Sequence, residues 1–308
     1  MSAGDESGGS PSSGVSEFRS LYEFPPSSAS VHVDFGADTR RGRSRGVNTD
    51  HYSIIRLGRS QDTVRTSVDE PLIASHYDEY GYAMLVADGM GPGDTGETAS
   101  RLALVTLVHL VRVFGKWNLR IDDAAANEIM ERARRFYRHV DGTLVAERQR
   151  SGVPGVQTTL TATFGAGHDL FFAHVGHSRA YLLREGRLMR LTRDHTLGQQ
   201  RSRSVPQAPL TDVTTAARDL KHILTDTLGM TGTTGPRIDI ERFHLDDGDI
   251  VLVCTNGITD SIDEETIGRV LAAEMSPDDK CRTLVERAAS GDGGDDATAV
   301  IAQYRIPE

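Results

Sequence analysis

Cysteine is scarce: Cys254 and Cys281 are the only two in 308 residues. Two thiols cannot build a disulfide framework, and no Cys-x-x-Cys or Cys/His grouping suggests zinc. Such sparing use points to a reducing compartment. Long hydrophobic runs are lacking too. Residues 102–114 are too few to cross a bilayer and are broken by His109 and Arg112. The N-terminus has no apolar signal core, so a cytoplasmic chain that does not contact a membrane is expected. Positive charge is in deficit, with 34 Lys plus Arg against 44 Asp plus Glu and a net charge of −10. An acidic chain is poorly suited to gripping a phosphate backbone, which argues against nucleic acid as a partner.

What is present is an ordinary globular composition, 38% hydrophobic and 25% charged, enough for a sizeable core. Residues 1–30 are rich in Ser, Gly and Pro and read as a disordered tail. Residues 31–306 read as a single domain. Strands are expected at 51–57 and 82–87, joined by a polar loop over 58–81. Asp94 is expected to cap a helix, with Glu97 three residues on. A second helix begins near Asp122 and gathers Ile129, Ala133, Phe136 and Val140 on one face. Strands return at 159–164 and 169–175. A hairpin follows over 179–191, turning at Glu185-Gly186. The apolar run 250–254 reads as a strand buried on both faces. Helices near Asp263 and Pro277 precede a last strand over 297–304. Amphipathic helices in pairs and hairpin-linked strands imply antiparallel sheets covered by helices, an α+β class.

Four short polar sites sit at or just past strand ends: Gly46-Val-Asn-Thr-Asp50, Val86-Ala-Asp-Gly-Met-Gly91, Cys254-Thr-Asn-Gly-Ile-Thr-Asp260 and Gly293-Gly-Asp-Asp-Ala-Thr298. Singly, Asp-Gly and Asn-Gly mark turns. Jointly, strands deliver carboxylates beside glycines whose carbonyls can approach a ligand, the oxygen-rich setting that hard divalent cations need.

These segments, together with Arg45-Gly-Val-Asn-Thr-Asp50, Gln157-Thr-Thr-Leu-Thr161 and Val175-Gly-His-Ser-Arg-Ala-Tyr-Leu182, resemble the ordered motifs of the metal-dependent PPM (type 2C) serine/threonine protein phosphatases of bacteria. The resemblance implies a four-layer α/β/β/α sandwich, two antiparallel sheets flanked by helix pairs. It implies two divalent cations, Mn²⁺ or Mg²⁺, that activate water. By position, Asp88 would bridge them, the Gly89 carbonyl would bind one and Asp295 the other. Asp50 would bind directly or through water, and Arg45 would hold the substrate phosphate. Thr298 would support the Asp295 loop. The implied substrates are phosphoproteins, in opposition to a serine/threonine kinase.

Two positions depart from the pattern. Asn256 stands where a ligand Asp is usual, and His177 where Asp is usual at a third, weaker metal position. Two dications would face three carboxylates, so lower metal affinity is expected, with no third site. A pseudophosphatase that binds phosphoproteins without turnover is the alternative. A serine hydrolase using Ser178 in Gly176-His-Ser-Arg-Ala180 is a further one, but that elbow needs a helix after the serine, and a hairpin is expected there. His195 is expected to be structural. The segment 197–228, with Arg201, Arg203 and Lys221, is expected to be a flap beside the site.

Overall fold

A computed structural model describes residues 31–68, 73–115, 121–204, 220–230, 235–290 and 294–306. The tail expected over 1–30 lies outside these residues. Strands β1 (His32–Arg40), β2 (Asp50–Asp62) and β3 (His76–Met90) come first, then helices α1 (Thr95–Phe114) and α2 (Asp123–Ser151). Next are β4 (Gln157–Thr158), β5 (Leu160–Ala166), β6 (Asp169–Val175), β7 (Arg179–Arg184), β8 (Arg187–Arg190) and the short α3 (Leu197–Ser204). The chain finishes with β9 (Asp239–His244), β10 (Ile250–Cys254), α4 (Asn256–Ser261), α5 (Glu264–Ala272), α6 (Pro277–Ser290) and β11 (Ala297–Arg305).

The strands make two antiparallel sheets. One runs β1-β11-β10-β7-β8, and the other β2-β3-β5-β6-β9 with β4 added on β3. Side-chain alternation explains the layering. In β10, Val251 and Val253 face the opposite sheet, where they meet Met84, Val86 and Phe172. Ile250, Leu252 and Cys254 face the other way, onto Ile267 and Leu271 of α5 and Cys281 and Leu284 of α6. In β3, Leu85 and Ala87 turn to Leu107 of α1 and Val140 of α2. Each central strand is therefore buried twice, which is why its sequence runs apolar without a break. Every such side chain removed from water contributes about 1.5–3 kcal/mol. The four layers are those the family resemblance implied.

Asp122 caps α2 through a bond from Ala125 N (2.7 Å), and Asp263 caps α5 through one from Thr266 N (2.7 Å). Asp94 does not act this way. Its backbone (φ −85°, ψ 6°) is not extended, its carboxylate makes no capping bond, and Glu97 pairs with Arg101 at 2.9 Å instead.

The loop expected over 58–81 is also corrected. β2 and β3 stay paired from Asp50↔Asp88 out to Asp62↔His76. Polar cross-strand contacts hold this outer stretch: Arg59 to Glu79 at 2.7 Å, His76 to Asp62 at 2.7 Å, and Arg56 over the Tyr80 ring. A ribbon stitched by charges carries little of the apolar alternation by which strands are read.

Candidate active site

The register of β2 and β3 sets Asp50 directly opposite Asp88 at one end of their sheet. β10 ends at Cys254 beside the start of β11, so Asn256 and Asp295 lie just past the matching edge of the other sheet. Two threonines join the halves: Thr255 Oγ1 and Thr298 Oγ1 both donate to Asp50 Oδ2, at 2.8 and 2.7 Å. Thr298 thus serves Asp50 and not the Asp295 loop expected from sequence. Asp50 Oδ1 is buried with no hydrogen-bond partner. The Asp88 carbonyl accepts from Thr159 N and Thr158 Oγ1, which fixes the backbone behind its carboxylate. A Cβ on Gly89 would lie 1.8 Å from the Gly96 carbonyl oxygen, so glycine is required for the first turn of α1 to close up behind Asp88.

Arg45 reaches the same place. Its Nη2 lies 2.6 Å from Asp295 Oδ1 and its Nε donates to that oxygen at 2.9 Å. Asp296, which sequence reasoning did not single out, fixes the Arg45 loop at both ends. Its Oδ1 accepts from Gly42 N (2.8 Å) and its Oδ2 from Thr49 N (2.7 Å) and Thr49 Oγ1 (2.8 Å). A second acid beside Asp295 was the only available signal. Asn256 Nδ2 donates to Asp260 Oδ2 (3.2 Å) and Asp295 Oδ2 (3.4 Å), while its buried Oδ1 has no partner. His177 is buried, with Nδ1 unpartnered and 3.9 Å from Asp88 Oδ2. All seven candidates, Arg45, Asp50, Asp88, Gly89, His177, Asn256 and Asp295, therefore gather at this one edge.

Burial dominates the electrostatics. It pushes the Asp50 carboxyl up to about 7, against the pull of the Thr298 and Thr255 hydroxyls. It pushes Asp88 well above the carboxylate range, and the negative charges of Asp50 and Asp295 add to the effect. Burial lowers Arg45, but Asp295 overrides this and the guanidinium ends up held more firmly in its charged form. Burial depresses His177, so its imidazole is neutral. Among the described residues, no three His, Cys, Asp or Glu side chains converge as a closed metal cage. The donors nevertheless fit a hard cation: two facing carboxylates that resist joint ionisation, and orphaned buried oxygens on Asp50 and Asn256.

His195 is structural: its backbone N donates to Gly176 O at 2.7 Å, and its ring lies 3.2 Å from Asp239 Oδ2. Ser178 shares a 2.9 Å hydrogen bond with Thr159, and the chain after it enters β7, so the helix of a nucleophile elbow is missing. Within the expected flap, α3 and residues 220–228 are described, whereas 205–219 lie outside the described residues. Lys221 there bonds Asp260 at 2.9 Å.

Over residues 59–287 the sequence matches the Protein phosphatase 2C family. The chain belongs to that family. This protein phosphatase 2C chain is 29% identical over 243 residues to the serine/threonine protein phosphatase PstP of Mycobacterium tuberculosis, a match covering 76% of this chain and 43% of PstP. It thus spans less than half the length of that relative. Its fold is that of the S. agalactiae serine/threonine phosphatase, with a TM-score of 0.71 at 24% identity over 88% of this chain and 99% of the other. The PstP catalytic domain, crystallised in complex with two manganese ions, gives a TM-score of 0.66 at 25% identity over 89% and 99%. Among the described residues of this phosphatase 2C chain, no helix is long and apolar enough to cross a membrane.

Proposed function

We propose that this chain hydrolyses phosphoserine and phosphothreonine on proteins, with water as the nucleophile. Residues 31–306 act as one catalytic domain, cytoplasmic and opposed to a serine/threonine kinase. The observation that carries this reading is the Asp50–Asp88 pair, set in register and buried with an orphaned oxygen, with Arg45 brought to the same edge. Asp50, Asp88, the Gly89 carbonyl, Asn256 and Asp295 would hold two divalent cations, Mn²⁺ or Mg²⁺. Two such cations lower the pKa of bound water and offset the charge of a phosphate monoester.

The protein's own groups do the rest. Asp50 is oriented by two threonine hydroxyls, so only Oδ1 remains to be shared. Asp88 is held by its backbone and presents its carboxylate without a competing bond from Thr158 or Thr159. Arg45 offers a planar fork to two phosphate oxygens. It borders a cleft of about 180 Å³ lined by Ser44, Val47, Gly91 and Asp94, where the substrate chain enters. His177 and Asn256 remove two negative charges from the family pattern, and two metals are expected to bind rather than three.

The test is hydrolysis of p-nitrophenyl phosphate and a phosphothreonine peptide across a Mn²⁺ titration. Turnover should rise with Mn²⁺, stop on chelation and vanish in Asp88→Asn. Turnover that survives chelation and Asp88→Asn would sink the reading.

A further inference from the structure

Four arginines, Arg40, Arg41, Arg43 and Arg45, fall within six residues where β1 leaves its sheet. Arg45 engages Asp295. The other three are exposed, and among the described residues none has a carboxylate partner. Arg41 Nη1 donates only to the Gly46 carbonyl, at 2.8 Å. Arginines elsewhere do find acids, as Arg59 does Glu79, Arg242 does Asp169 and Arg282 does Asp279, all within 2.7 Å. In a chain of net charge −10, three guanidinium groups with no carboxylate partner among the described residues make this loop a local concentration of positive charge.

The loop that carries them is rigidly placed. Gly42 N donates to Asp296 Oδ1, Ser44 N donates to Gly294 O at 3.2 Å, and Arg45 N donates to Gly42 O at 3.2 Å. A Cβ on Gly42 would sit 2.2 Å from the Gly294 carbonyl oxygen, so the loop lies flat against the residues leading into Asp295. Two clefts adjoin it. One, lined by Arg45, is the phosphate side. The other, of about 260 Å³, is lined by Arg40, Arg41, Arg43 and the end of α6 at Ala289 and Ser290. Among the described residues, its charged lining is cationic.

We propose that this second cleft is a subsite for a second anion on the substrate, a phosphate or carboxylate flanking the residue to be dephosphorylated. The inference rests on the phosphatase reading and names the substrate class that follows from it. Guanidinium groups bind both anions through paired N–H donors, and phosphate more strongly. Arg43 and Arg40 lie two and five residues from Arg45, a reach of at most about 7 and 18 Å along the chain. The second anion therefore falls within about five positions of the target. A uniformly acidic protein is repelled by the rest of the surface, so the selected feature is a local cluster of negative charge.

The experiment uses one phosphothreonine peptide in three forms, with alanine, glutamate or phosphoserine placed two to five positions away on either side. The full chain is compared with the Arg40→Gln/Arg43→Gln double variant. Arg41 is kept because it braces Gly46. Both kcat/KM and binding by fluorescence anisotropy are read. The anion-flanked forms should be preferred over the alanine form by about threefold to tenfold at low salt on at least one side, chiefly through KM. The preference should fall to parity in the double variant and shrink in about 0.5 M salt. A gain with phosphoserine alone still supports the subsite and marks it as phosphate-selective. Parity in the unaltered chain, or a preference that the double variant retains, overturns the inference. If the unaltered chain leaves p-nitrophenyl phosphate untouched, the phosphatase reading fails on its own, and the anisotropy ratio still decides the subsite.

Discussion

Asn256 can be tested by restoring the missing charge. Its Nδ2 now donates to Asp260 and Asp295, at 3.2 and 3.4 Å. Asn256→Asp turns both bonds into carboxylate–carboxylate contacts. At an effective dielectric of about 20, each contact would repel by about 5 kcal/mol. Taking up one proton relieves the repulsion, and keeping a carboxyl protonated at pH 7.5 costs at most about 5 kcal/mol against an ordinary pKa near 3.9. Asp260 and Asp295 are 26% and 33% exposed, so solvent screening brings the expected loss to about 3 kcal/mol. Metal-free protein should then melt about 6–10 °C lower than the parent. With Mn²⁺ the sign reverses, because the added carboxylate meets a dication, and the Mn²⁺ dissociation constant should fall by about tenfold or more. Thermal melts with chelator and across a Mn²⁺ series, alongside calorimetric titration, measure both halves. An unchanged metal-free Tm together with an unchanged Mn²⁺ affinity would refute the reasoning, since neither the repulsion nor the ligation would then exist.

Three further outcomes are expected. Asp88 is raised by burial, so the folded state holds a proton that the unfolded state has lost, and metal-free stability drains away as pH climbs above the unfolded value. Asp88→Asn removes that penalty. Metal-free Asp88→Asn should therefore melt higher than the parent at pH 8, and the two should converge toward pH 4. His174 runs the other way: burial first, with the nearby His195, lowers it to about 3, and its Nε2 donates to the Gly176 and Arg193 carbonyls. Its contribution is complete above pH 6.5 and is lost as pH falls toward 3, by about 2 kcal/mol at pH 5. A His174→Gln variant should show a flatter Tm between pH 7.5 and 5. Gly42→Ala drives a Cβ into backbone at 2.2 Å and should cost about 1–3 kcal/mol. Because that loop bears Arg45, KM for a phosphate ester should rise as well, and a normal KM would separate Arg45 from the loop's packing.

The buried framework was legible because its alternation is a direct imprint of the layers. β10, the Glu185-Gly186 hairpin and the start of α2 near Asp122 needed only periodicity and turn chemistry. The outer half of the β2–β3 ribbon was not legible, since charged and aromatic pairs hold it and leave no apolar rhythm. α4 was missed because Asn256-Gly257 reads locally as a turn, while the close approach of Gly257 to the Asp296 carbonyl is a tertiary fact. The carboxylates of the site were visible singly as strand-end acids. What each one touches was not. Asp295 meets Arg45 and Asp296 meets Gly42 and Thr49, and nothing local separates two adjacent acids with opposite duties.

The place of β11 bears on synthesis. It lies between β1 and β10, pairing His32 with Arg305 and Cys254 with Ala299. The first strand of the domain thus waits for the last. Until residues beyond 296 have been made, β1 and β10 each present an open edge, and the Thr298 hydroxyl has not reached Asp50. Pairing across so long a separation is slow and leaves nascent strands open to wrong partners. A chain truncated before β11 should therefore leave both edges open, call on chaperones and fail to bring the Thr298 hydroxyl to Asp50.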